Sequence, residues 1–250
     1  MVVPVRALVV VPTYLEAPNI GEVLARIRAA LPMADVLVVD DNSPDGTGAL
    51  AEAAAAELGQ IEVLPRPSKD GLGPAYRAGL GLGLDRGYDV LVQMDADLSH
   101  DPAALPDLVG AIEAGADVAI GSRYVPGGSI PHWPWHRRAL SRYGNAYTGL
   151  ALRTGVADAT SGFRAYRAAM LKAIDLADTR ATGYGIQIEI AYRMSAAGAT
   201  ITEIPIAFTD RTRGASKMSL KIVGEEMLLV TWWGVKDRLR RPPRAQATAR

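Results

Sequence analysis

No cysteine occurs among the 250 residues. That excludes disulfides and thiolate metal sites, and it suits a reducing compartment. No apolar stretch is long enough to cross a bilayer, so no membrane-spanning helix is expected. A strand-like run, Ala7-Leu8-Val9-Val10-Val11, begins almost at once, so a secretory leader is not expected either. No internal repeat is visible. The formal net charge is zero, and no nucleic-acid partner is expected. What the chain does have is ordinary globular composition, 49% hydrophobic and 22% charged, with enough length for one large α/β domain around a buried core.

The charge is uneven along the chain. From Lys236 onward stand Lys236, Arg238, Arg240, Arg241, Arg244 and Arg250 against one acid, Asp237. A basic tail after an apolar aromatic segment suits an anionic membrane surface, and it also suits a merely solvated terminus.

Strand-like runs alternate with helical ones. The strands are expected at Ala7 to Val11, Val36 to Val39, Ile61 to Leu64, Val90 to Met94, Val118 to Gly121 and Glu203 to Phe208. Helical spacing of Leu, Ile and Ala fills Asn19 to Leu31, Gly46 to Leu58 and Leu72 to Arg86. Alternation of this kind predicts a mostly parallel, twisted sheet with helices on both faces. Pro and Gly make Tyr124 to Pro134 a loop, with a helix from Arg137 to Leu152 after it. A last amphipathic helix runs from Ser219 to Leu239, and Pro242-Pro243 ends it.

Asp95-Ala96-Asp97 ends the fourth strand-like run. Two acids there project from the carboxyl edge of the sheet, where open α/β folds place ligands. Acids one residue apart can share a divalent cation, which leaves positions for substrate phosphates. The same pattern alone also reads as a strand-to-loop turn with solvated acids. Other motifs leave neighbouring strands. Pro12-Thr13-Tyr14-Leu15-Glu16 offers a ring and a carboxylate for a base and a ribose. Asp40 to Thr47 holds three acids in six residues, which are costly to bury without partners. Asp41 suits a ribose hydroxyl or a base amine, whereas Asp45 reads as a turn and helix start. Gly71-Leu72-Gly73-Pro74-Ala75-Tyr76 fails as a dinucleotide fingerprint, because Tyr76 takes the third glycine position. Its glycines suit a close helix entry, with Lys69 near phosphate. His100, beside these acids, reads as structural because Asp101-Pro102 begins a helix. Cations gather around Gly121-Ser122-Arg123-Tyr124, Arg137, Arg138, Ser141, Arg142, Ser161-Gly162-Phe163-Arg164, and Arg211, Arg213 and Lys217. Arginine forks suit phosphate, which points to anionic groups on both substrates.

Together these motifs resemble the family-two glycosyltransferases with a GT-A fold, and within them the dolichol- or polyprenol-phosphate mannose synthases. The likeness runs from Val5 to Lys217, ending in Arg211-Thr212-Arg213-Gly214-Ala215-Ser216-Lys217. It implies that Pro12, Tyr14, Glu16, Val39 and Asp41 hold guanosine. Asp95 and Ala96 would contact ribose and diphosphate. Asp97, with Ser99 as a second or water-mediated ligand, would bind magnesium or manganese. Arg123, Arg137 and Ser141 would hold the acceptor phosphate, and Arg211 and Lys217 would close over the donor. Asp97, Arg123, Arg211 and Lys217 thus carry the catalytic expectation. Leu15 departs from the family pattern, which usually has Asn there.

The implied reaction moves mannose from GDP-mannose to a polyprenyl phosphate with inversion. A phosphate monoester already carries about 1.5 to 2 negative charges near neutral pH, so no catalytic base is expected. Residues 1–217 would form the catalytic domain, 218–241 an amphipathic helix that suits membrane docking and equally packing on the sheet or a dimer contact, and 242–250 a basic tail. Trp232, Trp233 and the bases that follow favour the headgroup interface, on the cytoplasmic face of the membrane, and an integral membrane partner is expected from the resemblance. Alternatives are transfer of another sugar, such as glucose from UDP-glucose, or a non-catalytic membrane-associated subunit with this fold.

Overall fold

The computed structural model describes residues 5–183, 185–210 and 220–240, the last with the side chains at 224 and 227–239. Seven strands form one sheet: β1 (Ala7–Thr13), β2 (Asp35–Asp40), β3 (Ile61–Pro65), β4 (Val90–Gln93), β5 (Val118–Ser122), β6 (Arg164–Arg167) and β7 (Ile201–Pro205). Their order is β3-β2-β1-β4-β6-β5-β7. All pairs are parallel except those of β6, which runs antiparallel to β4 and β5. The chain builds outward from β1 through β2 to β3, then returns to β1's other side as β4. That reversal opens a crevice at the carboxyl ends of β1 and β4.

β1, β2 and β4 are largely apolar runs because both faces are covered. Successive side chains of β1 go to opposite faces. Val9 and Val11 join one core with α1 (Ile20–Ala30), α2 (Thr47–Leu58) and α4 (Leu105–Glu113). Leu8 and Val10 join the other with α3 (Leu72–Asp85), α6 (Ala168–Ala173) and α7 (Gly185–Ala196). Each fully buried Val or Leu contributes roughly 1.5–3 kcal/mol of transfer free energy. A β-carbon on Gly79 would come within 2.4 Å of Val10, and one on Gly83 within 2.4 Å of Leu91. Those two glycines therefore let α3 lie flush on the sheet.

The expected helices and the first five strands are present, with ends shifted by a few residues. The last expected strand is displaced: β7 spans Ile201–Pro205, and Phe208 reaches back as an isolated bridge to His100. β6, α6 and α7 are additions, and the helix expected to begin at Asp101-Pro102 is a short turn at Pro102–Ala104 leading into α4. β6 is only four residues long and begins with a fully buried arginine, so it carries no apolar run.

α5 (Trp135–Leu152) and α8 (Leu220–Arg240) lie against each other. Buried Val230 packs with Leu152 and Ile188, Tyr147 shares a 2.7 Å hydrogen bond with Thr231, and the rings of Tyr192 and Trp233 stack 6.3 Å apart. The α8 helix thus docks on α5 and α7 and not on the sheet. Leu228, Trp232, Val235 and Leu239 of α8 are exposed, as are Trp135, Tyr143 and Leu150 of α5.

Candidate active site

Three loops leave the carboxyl ends of β1, β2 and β4, and each contains a non-glycine residue in the left-handed region: Leu15 at φ 59°, Asn42 at 55° and Leu98 at 60°. Asn tolerates this conformation, but a leucine there costs about 1–2 kcal/mol. Backbone strain of this kind gathers where surrounding structure holds a functional loop in place.

On the β1 and β2 loops, Pro12, Tyr14 and Glu16 are half-buried. Glu16 accepts a hydrogen bond from the Asn19 amide at 2.9 Å. Lys69 lies over the Tyr14 ring, 4.0 Å from its centre, so its cation sits on the face expected to stack a base. Buried Asp40 is spent on structure, accepting from Thr13 at 2.8 Å and from Ser43. Asp45 likewise accepts from Thr47 and from the Ala17 amide; burial works against its charge, but those bonds hold its pKa below the usual carboxylate range. Asp41 pairs with Arg66 at 2.5 Å, and Arg66 also reaches Asp70 at 3.0 Å. Burial still pushes the Asp41 carboxyl above its ordinary value, against the pull of Arg66. The Val39 side chain points into the core beneath Gly79, so only its main chain is placed to meet a ligand at the end of β2.

At the end of β4, Ala96, Asp97 and Ser99 are buried. Asp97 accepts the Ser99 amide at 3.0 Å, which closes a tight turn at this point of the loop. Asp95 accepts the Tyr76 hydroxyl at 2.8 Å. Among the described residues the Ser99 hydroxyl oxygen is buried without a hydrogen-bond partner. His100 is wedged between Phe163, stacked at 5.2 Å, and Phe208, edge-on at 5.4 Å, in keeping with a structural role.

On the β5 and α5 side the cations divide. Arg123 is buried and closes its fork on Asp158, at 2.7 Å from both Nε and Nη2, with Thr160 on Nη2 as well. Burial opposes both charges, yet the paired hydrogen bonds raise the pKa of Arg123 and lower that of Asp158. Arg164 corrects its placement among crevice cations. It is fully buried and donates to the carbonyls of Ser161, Gln187 and Ala159, knitting the loop before β6 to α7. Arg138 ties the carbonyl of Ile130. Arg137 remains open: its side chain is 40% exposed, lies 3.9 Å over the Trp133 ring and bonds Asp210 at 3.0 Å. Ser141 accepts from Tyr124 at 2.6 Å, and Arg142 faces the same Tyr124 ring. Arg211, Arg213 and Lys217 lie outside the described residues.

Sequence reasoning missed Arg66, Tyr76, Asp158 and Asp210, the partners of the residues it named. Each sits far along the chain from the group it holds, so no local spacing signals it. Tyr76 carried one sign, as a large polar ring where a glycine pattern breaks.

The donor set of Asp97 and the orphaned Ser99 hydroxyl fits a hard, oxygen-liking cation. Among the described residues no group of three or more His, Asp or Glu surrounds such an ion. An ion there would be completed by substrate oxygens, as expected for a cation carried with a diphosphate.

The family described as Glycosyl transferase family 2 matches residues 8–175. The polyprenol monophosphomannose synthase of Mycolicibacterium smegmatis is 49% identical over 237 residues, covering 94% of this chain and 89% of that protein. The undecaprenyl-phosphate mannosyltransferase of Micrococcus luteus is 50% identical over 233 residues, covering 93% of this chain and 96% of that protein. Among solved structures, glucosyl-3-phosphoglycerate synthase from Mycobacterium tuberculosis, with Mn2+, UDP and its product, matches with a TM-score of 0.67 at 20% identity, over 96% of this chain and 81% of that one. This last likeness concerns the fold alone.

Proposed function

The chain belongs to glycosyl transferase family 2, and from that premise we propose that it transfers mannose from GDP-mannose to a polyprenyl phosphate, giving the β-linked product with inversion. The observation that carries this reading is the acidic turn Asp95-Ala96-Asp97 in the crevice at the end of β4, in a chain about half identical to two polyprenyl-phosphate mannosyltransferases. Tyr14, Glu16, Asp41 and the main chain near Pro12 and Val39 flank the guanosine. Lys69 moves off the Tyr14 ring as the base arrives. Asp95 and Ala96 face the ribose and diphosphate. Asp97 and Ser99 would hold a magnesium or manganese ion; glucosyl-3-phosphoglycerate synthase, of the same fold, is in complex with Mn2+ and UDP. Such an ion neutralises charge on the diphosphate.

Arg137 and Ser141 receive the acceptor phosphate. Arg123 stands behind them with Nη1 not spent on Asp158. The acceptor is already an anion near neutral pH, so the chain needs to supply position and charge balance but no general base. Two anionic substrates repel, and the arginines offset that repulsion. Arg211 and Lys217 close on the donor side.

A lipid acceptor requires a membrane face. The exposed Leu228, Trp232 and Leu239 of α8 and Trp135, Tyr143 and Leu150 of α5, with Lys236 and Arg238 alongside, suit peripheral docking on an anionic inner leaflet. No helix among the described residues is long and apolar enough to cross a membrane. An integral partner would strengthen that anchoring.

The test is transfer of labelled sugar into the organic phase with polyprenyl phosphate, supplying GDP-mannose or UDP-glucose in turn. GDP-mannose alone should label the lipid. Equal labelling from UDP-glucose overturns the donor, and no labelling from either overturns the enzyme.

A further inference from the structure

The α3 helix is bolted down at two levels by missing β-carbons. At its start, a β-carbon on Gly73 would fall 2.1 Å from the Ala181 carbonyl, and the Gly73 amide donates to Thr182 at 3.0 Å. Along its middle, Gly79 and Gly83 press on β1 and β4. Tyr76 lies between these bolts. Its ring is fully buried, and its hydroxyl meets the Asp95 carboxylate at 2.8 Å. Desolvation raises the Tyr76 pKa well above its ordinary value, so the hydroxyl keeps its proton and donates it in this hydrogen bond. Beneath the pair, Gln93 adjoins the Tyr76 oxygen and accepts from the Tyr166 hydroxyl at 2.9 Å. From the opposite side, bare Gly162 closes on Asp95, where a β-carbon would stand 3.1 Å from Oδ2.

An acid left free to turn must be ordered when its ligand binds, whereas this one is clamped from two sides before any ligand is present. We propose that Tyr76 is a positioning residue for the donor. By holding Oδ1, it fixes the Asp95 carboxylate for the sugar nucleotide, so the ordering of that side chain is done on folding and not on binding. The inference rests on the donor site proposed above. Tyr76 touches no substrate and acts through Asp95.

Tyr76→Phe deletes only the hydroxyl. Tyr88→Phe is the matched control: it deletes a hydroxyl that donates to Asp35 at 2.6 Å, near the opposite ends of β2 and β4. Gly162→Ala crowds Asp95 from its other side. GDP affinity with manganese is measured by calorimetry, and the Michaelis constants for both substrates by label transfer. Tyr76→Phe and Gly162→Ala should weaken GDP binding and raise the donor Michaelis constant by about tenfold, the size of one hydrogen bond to a charged group, with the acceptor constant unchanged. Tyr88→Phe should lower the melting temperature comparably and leave GDP affinity alone. Donor constants within about twofold of the unaltered protein in Tyr76→Phe overturn the inference, as does an equal rise in the acceptor constant. If the unaltered protein fails to bind GDP at all, the donor site itself is wrong, and that result separates the two failures.

Discussion

Leu15 holds a φ of 59° with its side chain 47% exposed, so little packing offsets the strain. Asn at this position accepts the left-handed conformation more readily. Leu15→Asn should therefore stabilise the protein by about 0.5–1 kcal/mol in urea denaturation; a loss of stability would show that the leucine side chain packs usefully. The buried Arg123–Asp158 pair gives a second prediction. Removing one partner strands the other, so Asp158→Asn should cost about 3–5 kcal/mol at neutral pH. Because Asp158 has a lowered pKa when folded, its contribution is complete above the ordinary carboxyl value of 3.8 and fades as pH falls below it. The gap between the two proteins should accordingly be widest near pH 7 and narrow on acidification below about pH 4; a gap that widens in acid contradicts the assignment. At this scale the sequence was informative about which side chains carry charge and much less about their partners. Asp97, Ser99 and Tyr14 stand where their motifs put them. Arg164 reads as a crevice cation in sequence but is fully buried, because two backbone carbonyls of the loop before β6 and one of α7 converge on it.

Among the elements, α3 shows how a helix with four glycines can still be specific. Glycine weakens a helix interior by up to about 1 kcal/mol each, yet here Gly79 and Gly83 open the space in which the helix meets the sheet. Gly79→Ala gains helix propensity but drives a methyl to 2.4 Å from Val10, so it should destabilise by about 1–3 kcal/mol. A stabilising Gly79→Ala would mean that α3 has room to lift. The α5–α8 pair carries the other element-scale prediction. Leu228→Ser with Trp232→Ser, both on the exposed side, should cut flotation with anionic vesicles at least about tenfold while leaving the melting temperature unchanged; undiminished flotation rules out docking through this face. Parallel strands were legible as long apolar runs. β6 was not, since four residues with a buried arginine at their head lack both length and pattern. α7 was missed for a different reason: it is buried nearly all round, so no polar face marks its period.

For the whole molecule, the mostly parallel sheet and the helices over both faces follow from the alternation of runs, while the order of the strands and the antiparallel insertion of β6 between β4 and β5 do not, because sequence order says nothing of which gap a late strand fills. That insertion brings Gly162 beside the acidic turn and so closes the crevice from its far side. The account then has a sheet whose strand reversal makes one polar cleft, and a helix pair away from the core that turns apolar side chains outward. A crystal of the protein grown with GDP and manganese, read by anomalous scattering, tests this most directly. The account predicts a manganese peak beside Asp97 and Ser99, with GDP lying across the ends of β1 and β4. Manganese or nucleotide bound elsewhere, with the acidic turn left to solvent, contradicts it.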